Sequence, residues 1–122
     1  AIRELLKIDG GQHALDEFVR ELKQEVLNGS DKTSTLTSVS YLVLSGASPG
    51  DNRDYLSGSL SSQIREKPTR CDYSFYAKAL RKLDTVAATY TAERLPEPEL
   101  GEECLIDVRR ILVGLDPWPH MP

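Results

Sequence analysis

The sequence predicts an all-α protein, an up-down-up-down four-helix bundle with a short helical, Pro-rich C-terminal extension. Three observations predict it. Apolar residues recur at three- and four-residue steps through most of the chain, strand-type alternation never persists beyond a few residues, and the links between periodic stretches are short enough to join antiparallel neighbours. No repeat of fixed period appears. At 122 residues, 39% hydrophobic and 28% charged, the chain suits one compact domain with a real core and excludes a multidomain enzyme.

Residues 1–12 begin helically with Ile2, Leu5, Leu6 and Ile8, but Asp9-Gly10-Gly11 cuts the pattern, so they read as an N-terminal arm. The first bundle helix spans 13–28, with Leu15, Phe18, Val19, Leu22 and Val26 on one side and Asp16, Glu17, Arg20 and Lys23 on the other. Asn28-Gly29 closes it, because both residues tolerate a left-handed backbone. Asn28-Gly29-Ser30 also matches the N-glycosylation sequon, and the helix stop is the favoured reading. Ser30 or Asp31 caps a second helix over 32–45, whose stripe is Leu36, Val39 and Val43; its Ser, Thr and Val content fits a strand equally well. After the turn Ala47-Ser48-Pro49-Gly50, a third helix starts at Asp51 or Asn52, carries Leu56, Leu60 and Ile64 four apart, and ends at Pro68.

The fourth helix, 72–94, is the strongest signal. Asp72 caps it, and Tyr76, Leu80, Leu83, Ala87 and Tyr90 form one narrow stripe with no Gly or Pro before Pro96. Pro96-Glu97-Pro98 is stiff and extended and marks an architectural break, which divides the chain into a bundle with its arm over 1–95 and a small flexible part over 96–122. A fifth helix over 102–113 turns Leu105, Val108, Ile111 and Leu112 inward and stops at Gly114. The tail from Asp116 holds three prolines and Trp118 and cannot be helical. The core expected from these stripes contains Phe18, Leu22, Leu36, Val39, Leu56, Leu60, Leu80 and Leu83. Because the chain opens at Ala1 and its only Met is Met121, it is expected to be a processed or trimmed product.

No constellation for chemistry emerges. Gly46 and Gly50 precede no Gly-Lys-Ser/Thr, and Gly10-Gly11 lacks the strand that a dinucleotide site needs. His13, Asp16 and Glu17 have helical metal-ligand spacing, with Glu21 continuing the face, but no other helix offers Glu-x-x-His, so a solvated charged face is the expectation. Neither His13 nor His120 lies close in sequence to Cys71, Cys104 or a Gly-x-Ser-x-Gly motif. An enzyme built from arginines and carboxylates would place cations on the inward stripes, which here hold Leu, Val, Ile, Ala and Tyr. Two cysteines are too few for a zinc site. If the fourth and fifth helices are antiparallel neighbours, Cys71 and Cys104 fall on the order of 30 Å apart, which argues for two free thiols; only a fifth helix folding back along the bundle joins them.

Charge carries more information. The net −4 repels nucleic acid and anionic lipid, and no apolar run exceeds four residues, far short of a membrane span. Residues 65–82 hold six basic side chains against two acidic ones, and residues 93–107 hold six acidic against one basic. Lys67, Arg70, Lys78, Arg81 and Lys82 are the expected partner-binding cations, the last three opposite the fourth helix's apolar stripe and exposed together, with Trp118 as an apolar anchor. The alternative is a basic face that serves solubility alone.

The stretch Leu80-Arg81-Lys82-Leu83-Asp84-Thr85-Val86-Ala87-Ala88 resembles the Lys-Leu-Asp segment followed by paired alanines in PsbQ-type extrinsic proteins of photosystem II. The layout is similar to that of the small PsbQ-like extrinsic subunit of the diatom oxygen-evolving complex. In PsbQ itself the segment belongs to the third bundle helix, whereas here it falls on the fourth. The resemblance implies a non-catalytic subunit without cofactors in the chloroplast thylakoid lumen, peripheral to the membrane. Its partners would be the photosystem II core and other extrinsic subunits, and it would stabilise the manganese cluster and help retain calcium and chloride. A lumenal photosystem II assembly factor and an unrelated helical adaptor remain open alternatives.

Overall fold

The computed structural model describes residues 10–67 and 73–115. Among them the chain is all-helical, without strands: α1 Gly10–Asn28, α2 Thr33–Leu44, α3 Arg53–Glu66 behind a 3₁₀ turn Gly50–Asn52, α4 Ser74–Leu83, α5 Thr85–Glu93 and α6 Glu103–Leu112. The expectations placed on Ile2, Leu5, Leu6, Ile8, Pro68, Asp72 and Trp118 lie outside the described residues. Two units meet in sequence between Leu56 and Ser57, inside α3. The Pro96-Glu97-Pro98 segment joins α5 to α6 within the second unit.

In the first unit α1 packs on α2. Leu15, Val19 and Leu22 of α1 are buried, as are Leu36, Val39, Leu42 and Val43 of α2. Phe18, expected in the core, is only half-buried, because it stands about 60° from Leu15 at the edge of the stripe. Val26, on the stripe but in the final turn, is exposed. The helix-stop reading of Asn28-Gly29-Ser30 matches the geometry. Gly29 has φ 69°, its N–H donates to Val26 O at 3.2 Å, and the Ser30 N–H donates to Glu25 O at 2.9 Å, the paired bonds that satisfy a helix's last carbonyls. Asp31 rather than Ser30 starts α2, accepting the Thr33 N–H at 2.9 Å and its hydroxyl at 2.7 Å. Helix wins over strand in α2 while its hydroxyls bond within the helix: Thr37 donates to Thr33 O and the buried Ser40 to Leu36 O, each at 2.9 Å.

The second unit departs from expectation at Asp84. The single helix expected over 72–94 is two helices, because Asp84 is extended (φ −160°, ψ 104°). Its N–H closes α4 on Leu80 O at 2.9 Å, and its carboxylate accepts the Val86 and Ala87 N–H groups at 3.0 and 3.1 Å, capping α5. An aspartate competes with backbone carbonyls for such donors, and the β-branched Thr85 and Val86 weaken the continuous alternative. One extended residue advances the chain without a helical turn, so the inward positions shift. Ala88, Thr91, Ala92 and Leu95 are buried, in place of the expected Ala87 and Tyr90.

The rest of the unit closes around this break. α4 contributes buried Tyr76, Ala77, Ala79, Leu80 and Leu83, and α3 contributes Leu60 and Ile64. α6 packs on α4 and α5 through Leu105, Val108, Ile111 and Leu112, the four residues expected inward. Two buried polar contacts tie distant segments: the Ser61 and Thr91 hydroxyls lie 2.5 Å apart, and Gln63 Nε2 donates to the Tyr73 hydroxyl at 2.7 Å. Of the expected core, Leu22, Leu36, Val39, Leu56, Leu60, Leu80 and Leu83 are buried.

Candidate docking face

The expected cations do not all reach solvent. Lys67 is exposed just past α3, and Lys78 and Lys82 are exposed one turn apart on α4; Arg70 and Trp118 lie outside the described residues. Arg81 is a correction. It is half-buried, and its Nη1 donates to Leu112 O at 3.1 Å, so the guanidinium covers the negative end of α6 instead of facing a partner. A helical wheel places the Arg81 backbone on the outer side, but its long side chain reaches around to the neighbouring helix.

Gly114 makes room for that contact. It ends α6 with φ 87°, its N–H donating to Ile111 O at 3.1 Å and the Leu115 N–H donating to Arg110 O at 2.8 Å. A Cβ at this position would overlap the Arg81 guanidinium, so the glycine serves both the left-handed turn and the close approach.

The cysteines overturn the expectation of free thiols. Cys104 is disulfide-bonded and no cysteine is free, so its partner is the chain's only other cysteine, Cys71, itself outside the described residues. The direction of α6 explains the error. Arg81 and Leu112 bring the C-terminal ends of α4 and α6 together, so these helices run parallel and their N-terminal ends share one side. The chain between Leu83 and Glu103 returns to that side before α6 begins.

The same break creates exposed groups that the sequence reading had turned inward or left aside. Val86 is 77% exposed and Tyr90, one turn later, 46%. Arg94 lies over the Tyr90 ring, its guanidinium carbon 3.3 Å from the centroid, and its Nη1 donates to Tyr90 O at 3.1 Å. The signal that could have revealed them is Asp84-Thr85-Val86, a capping residue followed by two poor helix formers.

The acidic stretch is partly engaged within the chain. Glu97 pairs with Arg109 at 3.5 Å, and Glu102 accepts the Glu99 N–H at 2.8 Å; Glu93 and Glu103 are exposed. In the first unit, Glu17 meets both His13, at 3.6 Å, and Arg20. Among the described residues no group of three or more His, Cys, Asp or Glu could hold a metal ion, and no helix is long and apolar enough to cross a membrane. Comparison of the chain with family models, curated proteins and solved structures returns no match.

Proposed function

We propose that this chain is a non-catalytic extrinsic subunit of photosystem II, peripheral on the lumenal side of the thylakoid membrane and in contact with the core and other extrinsic subunits. There it limits access of bulk solvent to the manganese cluster and helps retain calcium and chloride, with no cofactor of its own. Its helices form an up-down-up-down bundle in which α4 and α5 together take the place of the fourth helix.

The observation that carries this reading is the resemblance of residues 80–88 to the PsbQ-type segment. Two features support it. Lys67, Lys78 and Lys82 expose positive charge on a chain of net charge −4, which favours a discrete acidic site on a partner over a uniformly anionic surface. The disulfide of Cys104 fits a compartment where thiols stay oxidised and does not fit a cytosolic protein. Lys67, Arg70, Lys78 and Lys82 then meet acidic loops of the complex, and Trp118 adds an apolar anchor. Exposed ion pairs contribute about 0–1 kcal/mol each, so several must act together and binding falls as salt rises.

Rebinding to photosystem II stripped of extrinsic subunits tests the proposal. The expected result is restored oxygen evolution at limiting calcium and chloride, with Lys78→Glu/Lys82→Glu weakening rebinding and flattening its salt dependence. Equal oxygen evolution with and without added protein overturns the reading. Retention only on complexes that lack the manganese cluster replaces it with an assembly role.

A further inference from the structure

We infer that Asn28 is an N-glycan acceptor, modified at its side-chain amide by an oligosaccharyltransferase on a chain that passes through the ER lumen. The inference goes beyond the photosystem reading and does not depend on it. The two share only the oxidising compartment that the disulfide of Cys104 fits.

Asn28-Gly29-Ser30 has the acceptor pattern, an asparagine two residues before a hydroxyl with no proline between them. The chain's other asparagine, Asn52, is followed by Arg53-Asp54 and lacks it. Ending α1 and accepting a glycan are compatible tasks, because the helix stop uses backbone groups alone: the Gly29 N–H on Val26 O and the Ser30 N–H on Glu25 O. The groups that a transferase reads are the Asn28 amide and the Ser30 hydroxyl, and both residues are exposed. Asn28 Oδ1 accepts from Gln24 Nε2 at 3.5 Å, too long for a strong bond, so little holds the amide against the helix.

The folded unit has room for the product. A Cβ added at Gly29 would meet nothing within 4 Å, and residues 26–30 are all exposed, so a sugar chain attached at Asn28 starts in solvent. The last turn of α1 also buries little: Val26 is 48% exposed and Leu27 81%. Fraying that turn therefore uncovers little apolar surface, and it presents the sequon in the open form that an enzyme cleft can grip. Once attached, the first sugars lie beside Val26 and Leu27 and shield them from water.

The co-substrate is an oligosaccharide linked to a lipid pyrophosphate. Asn28 Nδ2 attacks the anomeric carbon of its first sugar and a C–N bond forms. The C–O bond to the pyrophosphate breaks, the lipid pyrophosphate leaves with the electron pair, and Nδ2 releases one proton to the medium. Nothing is oxidised or reduced.

Directing the full chain into the ER of cultured eukaryotic cells, behind a cleavable signal sequence, tests the inference. The expected result is a single step to lower gel mobility that peptide N-glycosidase removes. Asn28→Gln and Ser30→Ala should abolish the step, whereas Ser30→Thr, which keeps the hydroxyl, should retain it. The readout is added mass, so Ser30→Thr still reports on the acceptor if either of the other variants misfolds. The glycosylated chain should match the enzymatically stripped one in helicity by circular dichroism. An unmodified wild-type chain overturns the inference, as does a glycan that persists in Asn28→Gln or one whose presence unwinds the helices. The photosystem reading fails separately. A chain glycosylated at Asn28 that does not rebind stripped photosystem II keeps the site and loses that partner. One that rebinds but leaves the ER unmodified keeps the partner and loses the site.

Discussion

The two units are held together by different means. In the first, α1 and α2 meet through leucines and valines at helical spacing, and the hydroxyls of Thr37, Ser38 and Ser40 bond back into their own helix. In the second, the apolar core is joined by ties between groups far apart in sequence: Ser61 with Thr91, Gln63 with Tyr73, Arg81 with Leu112 O, and the disulfide of Cys104. A structure built from local pattern can be read from local pattern. One built on distant ties depends on where the chain turns, and a single residue, Asp84, decides that here.

The disulfide should separate the units most sharply. Closing a loop of about 34 residues stabilises the folded state by about 4 kcal/mol in the chain-entropy picture, so Cys71→Ser/Cys104→Ser should lose that much. The loss belongs to the second unit: amides of α6 should exchange faster, with those of α1 and α2 little changed. Equal acceleration in both units would mean that they unfold as one and that the contrast has no energetic content.

Large-to-small changes in the two cores come next. Leu36→Ala in the first unit and Leu80→Ala in the second each remove a fully buried side chain and should each cost about 3 kcal/mol in denaturant unfolding. If Leu36→Ala alone is mild, the first core is loosely packed and the comparison shifts from ties to packing.

The glycines sharpen the contrast further. Gly29→Ala places a methyl in open space at φ 69° and should cost about 1 kcal/mol, whereas Gly114→Ala also displaces Arg81 and should cost about 2. In an Arg81→Ala background the two substitutions should cost the same. A persistent difference would remove the guanidinium as its cause.

The smallest expected effect is at the break itself. Asp84→Ala deletes the cap of α5 and should destabilise by about 1 kcal/mol, read from thermal melts by far-UV circular dichroism. A stabilised, more helical variant would show that the chain prefers one continuous helix once the carboxylate is gone.

Much of the fold is legible because apolar spacing and helix stops are local. The stripe of α6 is found as read, residue for residue, and Gly29 and Gly114 end their helices where the sequence places them. The break between α4 and α5 escapes periodicity because their apolar residues differ by a single position, and a wide stripe absorbs that step. Its trace was a lone aspartate before two β-branched residues. The docking face divides along the same line. Lys78 and Lys82 are legible from a helical wheel, but Arg81 is not, since a wheel shows where a side chain starts and not where its charge ends. Val86 and Tyr90 become visible only once the phase change at Asp84 is known. The thiols were misread because their pairing depends on the direction of α6, a property of the whole unit.

The disulfide also changes what a protease can do to the molecule. The chain from Cys71 to Cys104 is a covalent ring, and the link between α5 and α6, with Leu100 standing fully in solvent, is a part of it open to cleavage. A cut there opens the ring without dividing the molecule: both pieces remain one particle, migrate together, and separate only when a reductant is added. A nick in this link therefore releases nothing, so an intact mass under oxidising conditions is no proof of an intact backbone.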